Sequence, residues 1–113
     1  MNNVLLMGRL TKDAEFTKGT KQKKGYAKFT LAVPRGKDDA DFINCVAFDK
    51  TGELISTYVK KGNRLIVEGS LNIRSYDDKD GNKQYATNVI VNKINFVDYK
   101  NSSNEDEQEE MPF

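Results

Sequence analysis

Along most of the chain hydrophobic residues alternate with polar ones, and the alternation stops at glycine, proline and clusters of charge. In "YAKFTLAV" (26–33), Phe29, Leu31 and Val33 share one parity and Lys28 and Thr30 the other. That period of two predicts a half-buried strand. Pro34 is expected to stop its ladder, and "RGKDDAD" (35–41) reads as a polar loop. "FINCVAF" (42–48) also alternates: Ile43, Cys45 and Ala47 suit a core, while Phe42 and Phe48 fall with Asn44 and Val46 on the other face. "RLIVEGSLNIRSY" (64–76) predicts a long strand, with Leu65, Val67, Leu71 and Ile73 lining one face and Glu68, Asn72, Arg74 and Tyr76 the other. Gly69 in its middle predicts a bulge or sharp bend. "DDKDGN" (77–82) is a hairpin loop with Asp80-Gly81 at its turn. "KQYATNVIVNKINFV" (83–97) is the partner strand, and its parity shifts between Val91 and Ile94, which predicts another bulge.

Two segments break the alternating pattern. "NVLLMGRL" (3–10) is apolar on both parities, with Val4, Leu6 and Leu10 on one side and Leu5 and Met7 on the other. A strand that is apolar on both faces needs a cover on its outer side, and a neighbouring subunit is the natural candidate. "TGELISTYVKKG" (51–62) places Leu54, Ile55, Tyr58 and Val59 on one helical stripe. Thr51 is the expected N-cap, Lys60 and Lys61 suit the last turn, and Gly62 suits the stop. "TKGTKQKKG" (17–25) has no period and reads as a flexible basic loop. The pattern predicts an all-β domain of four or five strands with one short helix. A small closed barrel of OB type and an open sandwich both satisfy it.

Length and composition narrow the class. The chain has 113 residues, enough for one domain with a thin core. It holds no apolar run long enough to span a membrane and no signal-peptide pattern. Its single cysteine, Cys45, fits a reducing, cytoplasmic compartment. The net charge of +1 conceals a segregation: all 18 basic residues lie in 1–100 with 12 of the 17 acids, leaving +6 there and −5 on 101–113. A basic body suggests a polyanionic partner, and an acidic end suggests competition or recruitment. The domain is therefore expected over 1–100, with a separate acidic tail over 101–113.

Enzyme readings find little support. There is no histidine, the commonest general base and metal ligand. Cys45 lies on the core parity of its strand and reads as inert. "DDKDG" has the wrong end residues for a calcium loop, and "GTKQKKG" lacks the spacing of a phosphate-binding loop. No catalytic residue, metal or cofactor is expected. The stronger constellation is aromatic. Phe42, Phe48 and Tyr76 fall opposite the core faces of their strands, accompanied by Lys28, Lys50 and Arg74. Exposed rings interleaved with cations suit a single nucleic-acid strand, because bases stack on rings and cations follow phosphates. Lys60 and Lys61 join the expected phosphate contacts. The competing reading makes the rings ordinary core residues, and the loop lysines around Lys18, Lys21, Lys23 and Lys24 a solvated surface.

These blocks resemble the bacterial and phage single-stranded DNA-binding proteins. "MNNVLLMGRLTKDAE", "FTLAV", "DFINCVAFDKTGELISTYVKKGNRLIVEGSL" and "RSYDDKDGNKQYATNVIV" look like that family's successive segments, in order. The acidic end closing in Met111, Pro112 and Phe113 looks like the family's C-terminal tip. The resemblance implies an OB-fold, a homotetramer whose first strands help to pair subunits, and stacking positions that match Phe42, Phe48 and Tyr76. Relatives often carry tryptophan at the first and third of these; this chain has no tryptophan. The basic loop and the short 35–41 loop also depart from the family's usual form. The implied function is to coat and protect single-stranded DNA during replication, recombination and repair. The implied use of Glu109, Glu110, Met111, Pro112 and Phe113 is to dock partner enzymes. A bridging accessory protein and an RNA-binding module are the alternatives.

Overall fold

The computed structural model describes residues 1–97, so the acidic tail and its tip, Glu109 to Phe113, lie outside the described residues. Six strands and one helix follow in order: β1 (Val4–Leu10), β2 (Glu15–Thr17), β3 (Tyr26–Arg35), β4 (Asp39–Phe48), α1 (Asp49–Tyr58), β5 (Arg64–Asp77) and β6 (Lys83–Phe96). The sheet order is β1-β5-β6-β4-β3-β2, and a further pairing of β1 with β3 closes five of the strands into a barrel. All neighbours are antiparallel except β4 and β6, which run parallel. This is the OB-type barrel, and the sandwich alternative falls with the β1–β3 closure.

The inward parity of each strand fills the barrel. Leu10, Ala27, Phe29, Leu31, Cys45, Ala47, Leu65, Val67, Val89 and Val91 are buried, and Ile55 and Val59 at the end of α1 complete the core. Each fully buried aliphatic chain of this size contributes roughly 1.5–3 kcal/mol. The core holds no buried polar side chain among the described residues, so burial alone specifies the inward face.

Pairing and packing alter several of the expected elements. Leu71 and Ile73 keep the inward parity but are 41% and 58% exposed. Beyond Gly69 β5 has lost its β1 partner, beyond Asn72 and Asn88 the β5–β6 hairpin outruns the barrel, and from residue 71 onward β5 is exposed on both faces. The two predicted bulges are one irregularity. Glu68 pairs with Lys93 and Gly69 with Val91, so Asn92 is left without a pairing partner on β5. Pro34 does not end its ladder but pairs with Ala40, which shortens the 35–41 loop to three residues between β3 and β4. A proline near a hairpin tip removes only one donor.

The helix starts earlier and ends earlier than its pattern predicts. Its N-cap is Phe48 and not Thr51, with no side-chain cap. Strand β4 runs straight into α1 through Asp49, whose φ is +51°. Aspartate tolerates that left-handed region better than most residues, and its charge suits the helix N-terminus. At the other end Val59 turns extended and is buried, so Lys60 and Lys61 lie past the last turn. Tyr58 is exposed rather than packed in the core, and its ring meets Phe96 edge-on at 6.1 Å.

The basic loop is tied down by its own hydrogen bonds. The Thr20 N–H donates to the Lys23 carbonyl at 2.8 Å. The N–H groups of Gln22 and Lys23 donate to Thr20 Oγ1 at 3.2 and 3.1 Å. Strand β2, which no alternation marked, pairs with β3 at its root.

Candidate nucleic-acid interface

The outward parity of β3, β4, β5 and β6 forms the wall of an open groove of about 800 Å³, rimmed by the β1–β2 connection. Strand registers decide which residues meet in it. Tyr26 stands opposite Phe48, and Lys28 opposite Val46. Val46 in turn pairs with Ile90 across the parallel β4–β6 contact. On the far side Arg74 pairs with Ala86. The groove thereby gathers three of the expected residues, Lys28, Phe48 and Arg74.

Two rings flank the floor. Phe48 is 38% exposed, and its register partner Tyr26 lies half-buried beside it. Lys28 Nζ sits 5.8 Å from the Tyr26 ring centroid, within cation–π range. Tyr26 was not among the expected stacking residues. Its parity opposite Phe29 and Leu31 was the available signal, since that parity also carries Lys28.

The remaining expected residues lie elsewhere. Phe42 projects from the same outer parity of β4, 68% exposed, toward the β3–β4 hairpin tip and outside the groove. Tyr76 is 53% exposed on the projecting β5–β6 arm, on the parity of Arg74 but also beyond the groove. Lys50 belongs to a second, shallower hollow of about 680 Å³, which it shares with Lys18, Lys21, Lys23 and Lys24 of the basic loop. Lys60 and Lys61 line neither hollow. Their turn is pinned instead: the Lys61 N–H donates to Asp13 Oδ1 at 2.7 Å, and the Lys60 N–H to Asn63 Oδ1 at 2.8 Å.

The arm's turn is held by Asp78. Its Oδ1 accepts from the N–H groups of Asp80 and Asn82, both at 2.9 Å, and its Oδ2 from Gln84 Nε2 at 3.1 Å. These bonds, that from Asn82 foremost, hold its carboxyl below the usual carboxylate range. Cys45 shows the opposite effect: burial pushes its thiol up to about 12, so it stays neutral and unreactive at neutral pH. No group of three or more His, Cys, Asp or Glu is placed to hold a metal among the described residues. No helix among them is long and apolar enough to cross a membrane.

Rings with open faces, a cation beside one of them and an arginine across the floor can grip bases and phosphates together. The profile of the single-strand binding protein family matches residues 1–97. The chain belongs to that family. It is 48% identical over 103 residues to a single-stranded DNA-binding protein of Clostridium perfringens, covering 89% of this chain and 69% of the relative. It is 42% identical over 111 residues to single-stranded DNA-binding protein 3 of Clostridium acetobutylicum, covering 92% and 76%. With a single-stranded DNA-binding protein of Bacillus cereus it shares 40% identity over 111 residues, covering 93% and 65%.

Proposed function

We propose that this member of the single-strand binding protein family coats and protects single-stranded DNA, without strong sequence preference, during replication, recombination and repair. One observation carries the reading: Tyr26, Phe48, Lys28 and Arg74 stand in one open groove on the barrel's outer face. Family membership supports it. Duplex DNA hides its base faces, whereas a single strand offers them for stacking. Phe42 and Tyr76 extend the stacking surface on either side, and the lysine hollow with Lys50 takes phosphates as the strand leaves the groove. Lys60 and Lys61 add positive charge outside the groove, where the Lys61 N–H donates to Asp13 of its rim. The role is binding, with no catalytic step, in the cytoplasm on the nucleoid.

The decisive experiment titrates a labelled thymidine oligonucleotide against a duplex of equal length, at low and moderate salt. Tight single-strand binding with little duplex binding is the expected result. Equal or negligible binding to both would remove the coating function, and preference for the RNA of the same sequence would move the reading to RNA.

The chain divides, on this reading, into a binding domain over 1–100 and a docking tail over 101–113. Glu109 and Glu110 meet a basic rim on a partner enzyme, and Met111, Pro112 and Phe113 enter an apolar pocket behind it. Deleting 106–113 is expected to abolish partner capture and leave DNA affinity equal or tighter; loss of DNA binding would place the tail in the fold instead. The exposed Leu5 and Met7 on the outer parity of β1 support assembly into a homotetramer, which sedimentation equilibrium tests directly.

A further inference from the structure

The groove floor contains a row of polar side chains that runs across the barrel. Thr30 pairs with Asn44, Asn44 with Asn88, and Asn88 with Asn72, so β3, β4, β6 and β5 each place one residue on the same line. All four line the groove. Thr30 Oγ1 donates to Asn44 Oδ1 at 3.2 Å, which engages the acceptor end of that amide and leaves its Nδ2 hydrogens open. Among the described residues, the side-chain amides of Asn72 and Asn88 make no hydrogen bond. Three amides therefore stand in the groove with bonding capacity that the fold does not use.

The next row along the same strands differs. Two positions away lie Lys28, Val46, Ile90 and Ser70, again in register, with the apolar pair at the centre. A base lying with its face on Val46 and Ile90 brings its edge to Asn44 and Asn88. These two sit on neighbouring strands about 4.8 Å apart. Turned toward that edge, the two amides would offer in order a donor (Asn44 Nδ2), an acceptor (Asn88 Oδ1) and a donor (Asn88 Nδ2). The pairing edge of thymine reads acceptor, donor, acceptor, and its two carbonyls stand about one strand spacing apart. Adenine in the same register sets its amino group against a donor and its N1 against an acceptor. Cytosine and guanine each set like against like, which leaves a desolvated polar group unpaired.

We propose that Asn44 and Asn88, with Asn72 extending the row, bind base edges and give the groove a preference for thymine. The preference would come from hydrogen bonding rather than from the stacking and backbone flexibility that ordinarily set such biases. It rests on the single-strand reading above.

The test compares a thymidine oligonucleotide with one of equal length built from N3-methylthymidine, which keeps the ring face, both carbonyls and the backbone but loses the central donor. The full-length chain is expected to bind the methylated strand more weakly by roughly two- to tenfold. The Asn44→Ala/Asn88→Ala double variant is expected to bind both strands alike, with an unchanged salt slope. Equal binding of the two strands by the unaltered chain overturns the proposal, and that arm needs no variant to fold. A variant that still discriminates, with its fold verified by circular dichroism, also overturns it. Failure to bind either strand removes the single-strand reading itself, a result distinct from equal, tight binding of both.

Discussion

A Cβ built on Gly69 would lie 2.0 Å from the carbonyl oxygen of Ile90. The two backbones approach this closely where β6 carries the unpaired Asn92 and β5 loses its β1 partner. No side chain fits there without moving backbone. Gly69→Ala is therefore expected to destabilise the domain by about 2–3 kcal/mol. Gly36→Ala is the control: its φ of +75° disfavours alanine, but nothing lies within 4 Å, so a decrease of about 1 kcal/mol is expected. Urea unfolding of both variants measures the difference. Equal decreases would mean that the approach of Ile90 does not demand glycine.

Phe48 and Tyr26 share the groove, and Tyr76 stands on the arm beyond it. Phe48→Ala and Tyr26→Ala are each expected to weaken single-strand binding by about 1–3 kcal/mol, with short and long oligonucleotides alike. Tyr76→Ala is expected to do so only with strands long enough to reach the arm. Fluorescence titration over a series of lengths separates the two patterns. A length-independent effect of Tyr76 would put the arm in the primary site.

The lysine hollow predicts a salt effect. Replacing Lys21, Lys23 and Lys24 together by alanine is expected to lower affinity and to flatten the dependence of log K on log salt. The slope should fall by roughly 0.7 for each phosphate that is no longer neutralised. The relative preference among bases should not move, because phosphates carry no sequence information. An unchanged slope would return the loop to the status of a solvated surface.

Cys45 predicts an alkaline weakness. Its thiol rises from 9.0 to about 12 on burial, so between those values the unfolded chain releases a proton that the folded chain retains. Stability contributed by the neutral thiol is complete below pH 9 and falls as pH rises toward about 12, by about 1.4 kcal/mol per pH unit. Denaturant unfolding of the chain and of Cys45→Ala across this range isolates the contribution of the thiol. Parallel curves would contradict the assignment. At about pH 8 the native thiol should also resist alkylation until the chain is unfolded.

The alternation of hydrophobic and polar residues was enough to locate most strands and their inward faces. Phe29, Leu31, Cys45, Ala47, Leu65 and Val67 are buried as their parity requires, because side chains of a strand alternate faces whatever lies around it. The exposed positions of Phe42, Phe48 and Tyr76 followed from the same rule. Charge and resemblance then pointed to the partner, since neither depends on geometry.

Tertiary structure decided what parity cannot express. Leu71 and Ile73 have the inward parity but no layer to pack on, because the length by which a hairpin outruns its barrel depends on the other strands. The glycine at 69 and the parity shift near residue 92 looked like two features, and pairing made them one. Lys28, Lys50, Lys60 and Lys61 were equivalent cations in the chain, yet closure of the barrel put one in the groove, one in the loop hollow and two in a pinned turn. The row of Thr30, Asn44, Asn88 and Asn72 is drawn from four strands far apart in sequence. Only their register aligns it, and register is a property of pairs of strands that no single strand carries.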